Sequence, residues 1–503
     1  MFQDSLCMDS RLHGNAGVRR KSSPPPSAHR SVLPSARIHP LHSIRFSLAI
    51  YRSIALRLET RTIMAIAGPL IAAYLAEFAM TLTTKIIIGQ LGYKELASIG
   101  LASDMMIEVV IVIAGLLSVV GVLVAQADGA DRKADAGIAA RQGLIIATLL
   151  GIPGSALIWN LDSVLAYTGQ DPDILVLMIP YLKPVALSLT PLLWFFVLRM
   201  FVASLAKTGA VMVISIVAVG IHYFLCLGLT MGKFGLPQMG LAGAGWAKAS
   251  VVVFMFSALL IYTYRTPSFR GYGLFRGKLS FDFAVCKDIL VLGTPVCGLV
   301  ILESGLFAGV SILSGILGSV SLATYQVIIT SVTLAFMFAR GLAEASMIRI
   351  ANAMGRGDLQ AAHRVGLISM AIGVSLLLML SVVPINFPEP LVRLFLKESD
   401  PGFEAVLLLT SRLIVLAACF QVFDGLQVIA TMSLRGLKDT LVPLWVAAFG
   451  YWGFGIAGGW LLAFPLGFET DGLWWGMAAG LAVTGTLLTI RFFLLTRPEN
   501  VSS

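Results

Sequence analysis

Charge is scarce in this chain of 503 residues: Asp, Glu, Lys and Arg make up 13% of it, against 57% apolar residues and a mean hydropathy of +0.88. A soluble enzyme of that length needs a far more polar surface, so that class is excluded. Cysteine is sparse as well. The five present (Cys7, Cys226, Cys286, Cys297, Cys419) form no CxxC pair and have no metal-like spacing with histidine, so neither a disulfide framework nor a zinc site is implied. The chain also lacks a DDxxD-like acid run, a phosphate-binding glycine loop, a His/Asp metal cluster and a nucleophile dyad. Those absences count against a membrane-embedded transferase or any other enzyme, and no cofactor is called for. Short alternating strands, the signature of a membrane barrel, are missing too.

Long apolar runs are present instead. Twelve of them, at about 63–88, 104–126, 143–161, 174–203, 209–231, 239–262, 288–314, 322–347, 364–386, 404–430, 441–464 and 473–495, are long enough to cross the hydrocarbon as helices. A bilayer offers backbone groups no water, so each run must satisfy its own hydrogen bonds. The expected fold class is all-α and polytopic, with the lipid bilayer as solvent. His222, alone on the fifth apolar run, is read as a packed, hydrogen-bonded residue ahead of a proton carrier.

Ten Lys or Arg and only three acids precede the first run, so seven of the nine net positive charges lie in this tail. The folded body is therefore not expected to bind nucleic acid. Residues 22–43, rich in Ser and Pro, are expected to be disordered. Alternate loops hold fifteen Lys and Arg (among them Arg132, Lys207, Arg340, Arg349 and Arg435) against four (Lys94, Lys233, Arg393, Lys397). Basic residues are retained on the cytoplasmic side, which places both termini there. The Arg-rich, Ser-rich, acid-poor tail also fits an organellar transit peptide, which would put the protein in an organellar membrane.

The chain repeats itself. Pro69, Glu77, Gly89, Leu91-Gly92 and Leu96-Ala97 recur ungapped as Pro295, Glu303, Gly315, Leu317-Gly318 and Leu322-Ala323, an offset of 226 (295 − 69). Ala125-Gln-Ala-Asp-Gly129 and Ala351-Asn-Ala-Met-Gly355 keep the same offset. An even number of spans separates the copies, so they share one topology and are related by an axis along the membrane normal. The expected organisation is a basic extension over 1–60, a six-helix N-lobe over 61–262, a cytoplasmic linker over 263–287, a six-helix C-lobe over 288–496 and a tail over 497–503.

Several pieces, in this order and spacing, resemble the multidrug and toxic compound extrusion (MATE) family and its bacterial NorM-like branch. They are Gly89-Gln-Leu-Gly92, Val124-Ala-Gln126, Leu198-Arg199, Gly232-Lys-Phe-Gly-Leu-Pro237, Gly243-Ala-Gly-Trp-Ala247, Pro295 to Glu303, and Phe423-Asp-Gly-Leu-Gln427 running to Leu434-Arg-Gly-Leu-Lys-Asp-Thr440. The resemblance covers roughly residues 60 to 495. It implies two six-helix lobes in a V, and a monomer of the bacterial inner membrane exporting small organic, amphipathic cations against inward flow of Na+ or H+. Export of a physiological metabolite or a lipid-linked precursor is the alternative on the same fold.

Glu303 falls near the middle of the seventh run, where an ionised carboxylate costs about 2.5 kcal/mol or more unless it is paired, hydrated or protonated. Asp424 occupies a similar place in the tenth run. By resemblance both match the acids of the C-lobe cation site, the alternative being a protonated acid that bonds a neighbouring helix. Phe420 stands where relatives often have tyrosine, and Gln421 and Gln427 share its helix. These three, with Thr84 and Lys85, are the candidate substrate or cavity lining. Thr84 falls where the family carries an intramembrane aspartate, so that chemistry is missing from the N-lobe. Glu77, the repeat counterpart of Glu303, is the candidate N-lobe acid. Lys85 lies eight residues beyond Glu77, only marginally on the same helix face, and is also able to snorkel to the outer interface. Lys183 and Arg199 are read as interhelical partners that would admit anionic substrates if they faced the cleft.

Overall fold

Every span expected from the apolar runs is a helix. The computed structural model describes residues 40–167, 172–275 and 281–497. The basic extension expected over 1–60 lies outside the described residues as far as residue 39, as do 276–280 of the linker and 498–503 of the tail. The spans are α1 (Pro40–Gly89, of membrane length from Arg57), α2 (Tyr93–Gly129), α3 (Lys133–Trp159), α4 (Pro172–Ser204), α5 (Gly209–Met231) and α6 (Leu241–Arg265) in the first half. The second half holds α7 (Phe283–Leu317), α8 (Ser319–Gly355), α9 (Leu359–Asn386), α10 (Phe403–Gly436), α11 (Leu441–Ala463) and α12 (Glu469–Leu495). No strand occurs among the described residues.

Polar punctuation sets the helix ends. The Asp282 side chain caps α7 by accepting from the amides of Ala284 and Val285, and Asp358 caps α9 by accepting from Ala361. Gly232, left-handed at φ 71°, closes α5. Two helices overrun their apolar runs, so Arg349 and Arg435, expected in loops, lie inside α8 and α10, and Arg340, also counted with the loops, lies inside α8 within its run.

Residues 54–503 form one unit, and its apolar cores show how the halves meet. One core joins Ile63, Ile71 and Ala125 of the first half to Ala339, Ile348 and Ile429 of the second. A core of first-half residues, extended only by the start of α7, and another drawn wholly from Leu299 to Leu481 lie apart from it. The halves therefore share packing at the end of the bundle where α1 starts and α12 finishes. Toward the other end each half has its own core.

The shared end obeys the repeat. A Cβ on Gly129 would overlap the carbonyl of Asn352, and a Cβ on Gly355 would overlap that of Gln126. Both partners are offset by 226 (355 − 129 and 352 − 126), so α2 and α8 cross about a pseudo-two-fold axis at backbone contact, as small residues permit in membranes. Asn352 Nδ2 donates to Asp128 Oδ2 at 3.1 Å, Gln126 Nε2 donates to Gly436 O at 3.3 Å, and Arg435 Nη1 donates to Ser118 Oγ at 2.9 Å. Each of these bonds crosses from one half to the other. Tyr272, in the short 3-10 helix Pro267–Tyr272 of the crossover, donates to Asp128 Oδ1 at 2.6 Å.

Candidate functional site between the two halves

Among the carboxylates on the spanning helices are Glu77 on α1, Glu303 on α7, Glu344 on α8 and Asp424 on α10. Two of them are neutralised by one cation. Arg199 on α4, its side chain 3% exposed, pairs with Glu77 Oε1 at 3.1 Å and Glu344 Oε2 at 3.5 Å. The Tyr74 hydroxyl accepts from Arg199 Nη2 at 2.9 Å and donates to Glu344 through a short hydrogen bond. The guanidinium also lies 4.8 Å from the Tyr74 ring centroid and 5.1 Å from that of Phe196, and Arg340 covers Tyr74 at 4.8 Å. This network ties α1 and α4 of the first half to α8 of the second.

The other two carboxylates have no such partner. Among the described residues no hydrogen bond or ion pair reaches the half-buried Glu303, and Asp424, 3% exposed, leaves Oδ1 without a partner. Glu303 and Asp424 lie within electrostatic reach of one another, and Arg340 on α8, Arg435 on α10 and Glu108 on α2 are the further charges acting on Glu303. Two adjacent acids facing diffuse positive charge but no salt bridge can take up and release a small cation.

Four of the five expected lining residues are occupied in helix packing. Phe420 is fully buried, edge-on to Phe307 at 6.2 Å and to Trp474 at 5.7 Å. Gln421 turns to α9, donating to Leu377 O at 3.3 Å and Ser381 Oγ at 3.2 Å. Gln427, 1% exposed, donates to Thr431 Oγ1 at 3.1 Å. Thr84 is bonded to His222 Nε2 at 2.8 Å, the packed role expected of that histidine. Only Lys85 stays half exposed, 3.8 Å from Asp104 and away from Glu77. Trp194, Phe195 and Phe201 are likewise in the core, and Lys183 sits over the Trp159 ring.

Sequence reasoning missed Glu344 and Tyr74. Glu344 was open to it, being an acid inside an apolar run by the same criterion that singled out Glu303. Tyr74 carries no such mark, because its part depends on which helices surround it.

The MatE family model matches residues 69–227 and 295–461, one match for each half, the two starting at the repeated prolines. The chain belongs to the MATE family. Its members are transporters, and this one is an integral membrane protein. It is 35% identical over 434 residues, 86% of this chain and 94% of the other, to the "Probable multidrug resistance protein NorM" of Pseudomonas putida. It is 30% identical over 484 residues, 96% of this chain and 98% of the other, to the "Multidrug resistance protein NorM" of Burkholderia vietnamiensis. The fold is similar to the crystal structure of the eukaryotic MATE transporter AtDTX14, with a TM-score of 0.78 at 23% identity over 87% of this chain and 96% of that one. It is also similar to a multidrug resistance MATE family transporter solved in an outward-facing conformation, with a TM-score of 0.77 at 18% identity over 88% and 96%.

Proposed function

We propose that this MATE protein exports amphipathic organic cations across the bacterial inner membrane, as a monomer, in exchange for Na+ or H+ moving inward. It performs transport and no catalysis. The observation that carries the reading is the division among these acids: Arg199 neutralises Glu77 and Glu344, while Glu303 and Asp424 lie within electrostatic reach of one another with no ion pair among the described residues. A pair left unneutralised in a low-dielectric bundle demands a cation, and an exchangeable one serves coupling. With both termini on the cytoplasmic side, the shared end closes the cytoplasmic face and the cleft opens outward, where the coupling ion enters. Ion binding drives export only by favouring one arrangement of the halves over the other, since a ligand shifts a two-state equilibrium by its differential affinity alone. Glu77 has a structural part in this scheme. The alternative, an anionic metabolite, loses support because Arg199 is buried in its ion pairs and Lys183 is held on Trp159.

The test is efflux of a fluorescent organic cation from proteoliposomes under Na+ and pH gradients imposed separately. Glu303→Gln is expected to abolish ion-driven transport while the protein still elutes as a folded species. Unchanged efflux would refute the assignment.

A further inference from the structure

Resting on the reading of Glu303 and Asp424 as the coupling site, we infer that Tyr451 is a direct ligand of the coupling cation, its phenol oxygen completing the site from α11. Tyr451 is fully buried, yet its hydroxyl has no hydrogen-bond partner among the described residues. A buried unpaired hydroxyl normally costs free energy, and an orphan in a native interior calls for a reason. Other orphans exist, among them Thr410 Oγ1 and Trp474 Nε1, but Tyr451 lies within electrostatic reach of both Glu303 and Asp424. Asp424 Oδ1 and Gln427 Oε1, three residues apart on α10 and so on one face, are also buried without partners. Acid, amide and phenol oxygens together with a second acid would make an all-oxygen set, the donor chemistry that hard cations take.

Packing explains how α11 delivers the group. Residues Ala448–Gly458 form a π-helical stretch, a wider winding that recurs at functional sites because it redirects side chains. On one side the Trp452 ring lies against Gly305, Ile456 against Gly309 and Leu306 against Gly455, so α11 docks on α7 at the level of Glu303 along the helix. On the other, Gly450 sits tightly on Thr484 and Gly480 of α12. Tyr451 is thereby clamped between the docked faces. Its hydroxyl has no hydrogen-bond partner among the described residues and lies within electrostatic reach of the two carboxylates.

The experiment compares wild type, Tyr451→Phe and Glu303→Gln in proteoliposomes, titrating Na+ against choline at constant ionic strength in one arm and pH without Na+ in the other. Tyr451→Phe is expected to raise the half-saturating Na+ or proton concentration, in whichever arm drives transport, by about fivefold or more, with the maximal rate kept. Thermal unfolding supplies a readout that a packing role would not move. Without Na+ and at high pH the variant should melt at or above wild type, because the change removes an orphan hydroxyl. The stabilisation gained on adding Na+ or lowering pH should be smaller than in wild type. Unchanged half-saturation in both arms, with Glu303→Gln inactive, overturns the role of Tyr451 and leaves the coupling site standing. An active Glu303→Gln overturns the coupling site itself.

Discussion

Replacing Glu344 with alanine tests whether the Arg199 network holds the halves together. In the wild type the guanidinium of Arg199, 3% exposed, is balanced by Glu344, 4% exposed, and by Glu77, 38% exposed. Removing Glu344 leaves a buried cation with only a part-hydrated partner. Breaking a buried pair on one side costs about 3 to 5 kcal/mol. Glu344 Oε1 is already without a hydrogen bond, so some desolvation cost exists in the wild type and the low end, about 3 kcal/mol, is expected here. Glu77→Ala removes an exposed partner and should cost about 1 kcal/mol or less. The double change Arg199→Met with Glu344→Leu removes both charges and should recover most of the loss. A thiol-reactive dye can follow unfolding in detergent through Cys226 and Cys286, which are buried at 0% and 3% exposure, in a background where Cys7, Cys297 and Cys419 are serine. Domains of 150 to 250 residues lose about 2 to 4 °C per kcal/mol, and a chain twice as long about half that, so Glu344→Ala should melt roughly 3 to 6 °C lower. A melting point within 1 °C of wild type, or equal losses for Glu77→Ala and Glu344→Ala, would show that the network does not work as described.

Two further outcomes follow from the shared end and the crossover. Gly129→Val or Gly355→Val forces a side chain into a facing carbonyl, which disfavours the closed packing of α2 on α8 by about 1 to 3 kcal/mol. Cys297, whose thiol donates from α7 to Val112 O of α2 where the halves also meet, should then react with a thiol reagent roughly 5 to 150 times faster; an unchanged rate would contradict the closure. Burial, and then the carboxylates of Asp128 and Asp131, push the Tyr272 hydroxyl above the ordinary phenol value of about 10. Its contribution to stability is therefore complete below pH 10 and lost as pH rises toward the folded value. Tyr272→Phe should flatten that alkaline loss in a pH series of melting points, and a parallel decline in both proteins would remove the assignment.

Much of the architecture was legible because the bilayer leaves so few choices. An apolar run of membrane length must be a helix, and each of the twelve is one. The duplication was legible down to single residues, and the pseudo-symmetric crossing at Gly129 and Gly355 realises it in space. Glu303 stood out as an acid in the middle of an apolar run. Less could be read of the arginines. Arg340, Arg349 and Arg435 look like loop charges because basic residues usually mark membrane interfaces, yet Arg340 lies within its run, the helices of Arg349 and Arg435 continue past theirs, and all three are carried along the junction of the halves.

The sequence by itself determined that this chain spans a membrane twelve times, in two parallel copies, with a handful of ionisable groups where hydration is costly. It could not determine which of those groups neutralise one another. Glu77 and Glu303 are equivalents in the repeat, but Arg199 has no counterpart at Glu303, and only the meeting of α1, α4 and α8 neutralises one acid while the other stands open beside Asp424. The physical reason is that pairing energies depend on distances of 3 to 4 Å between helices remote in sequence, whereas membrane insertion depends on the local run of side chains alone.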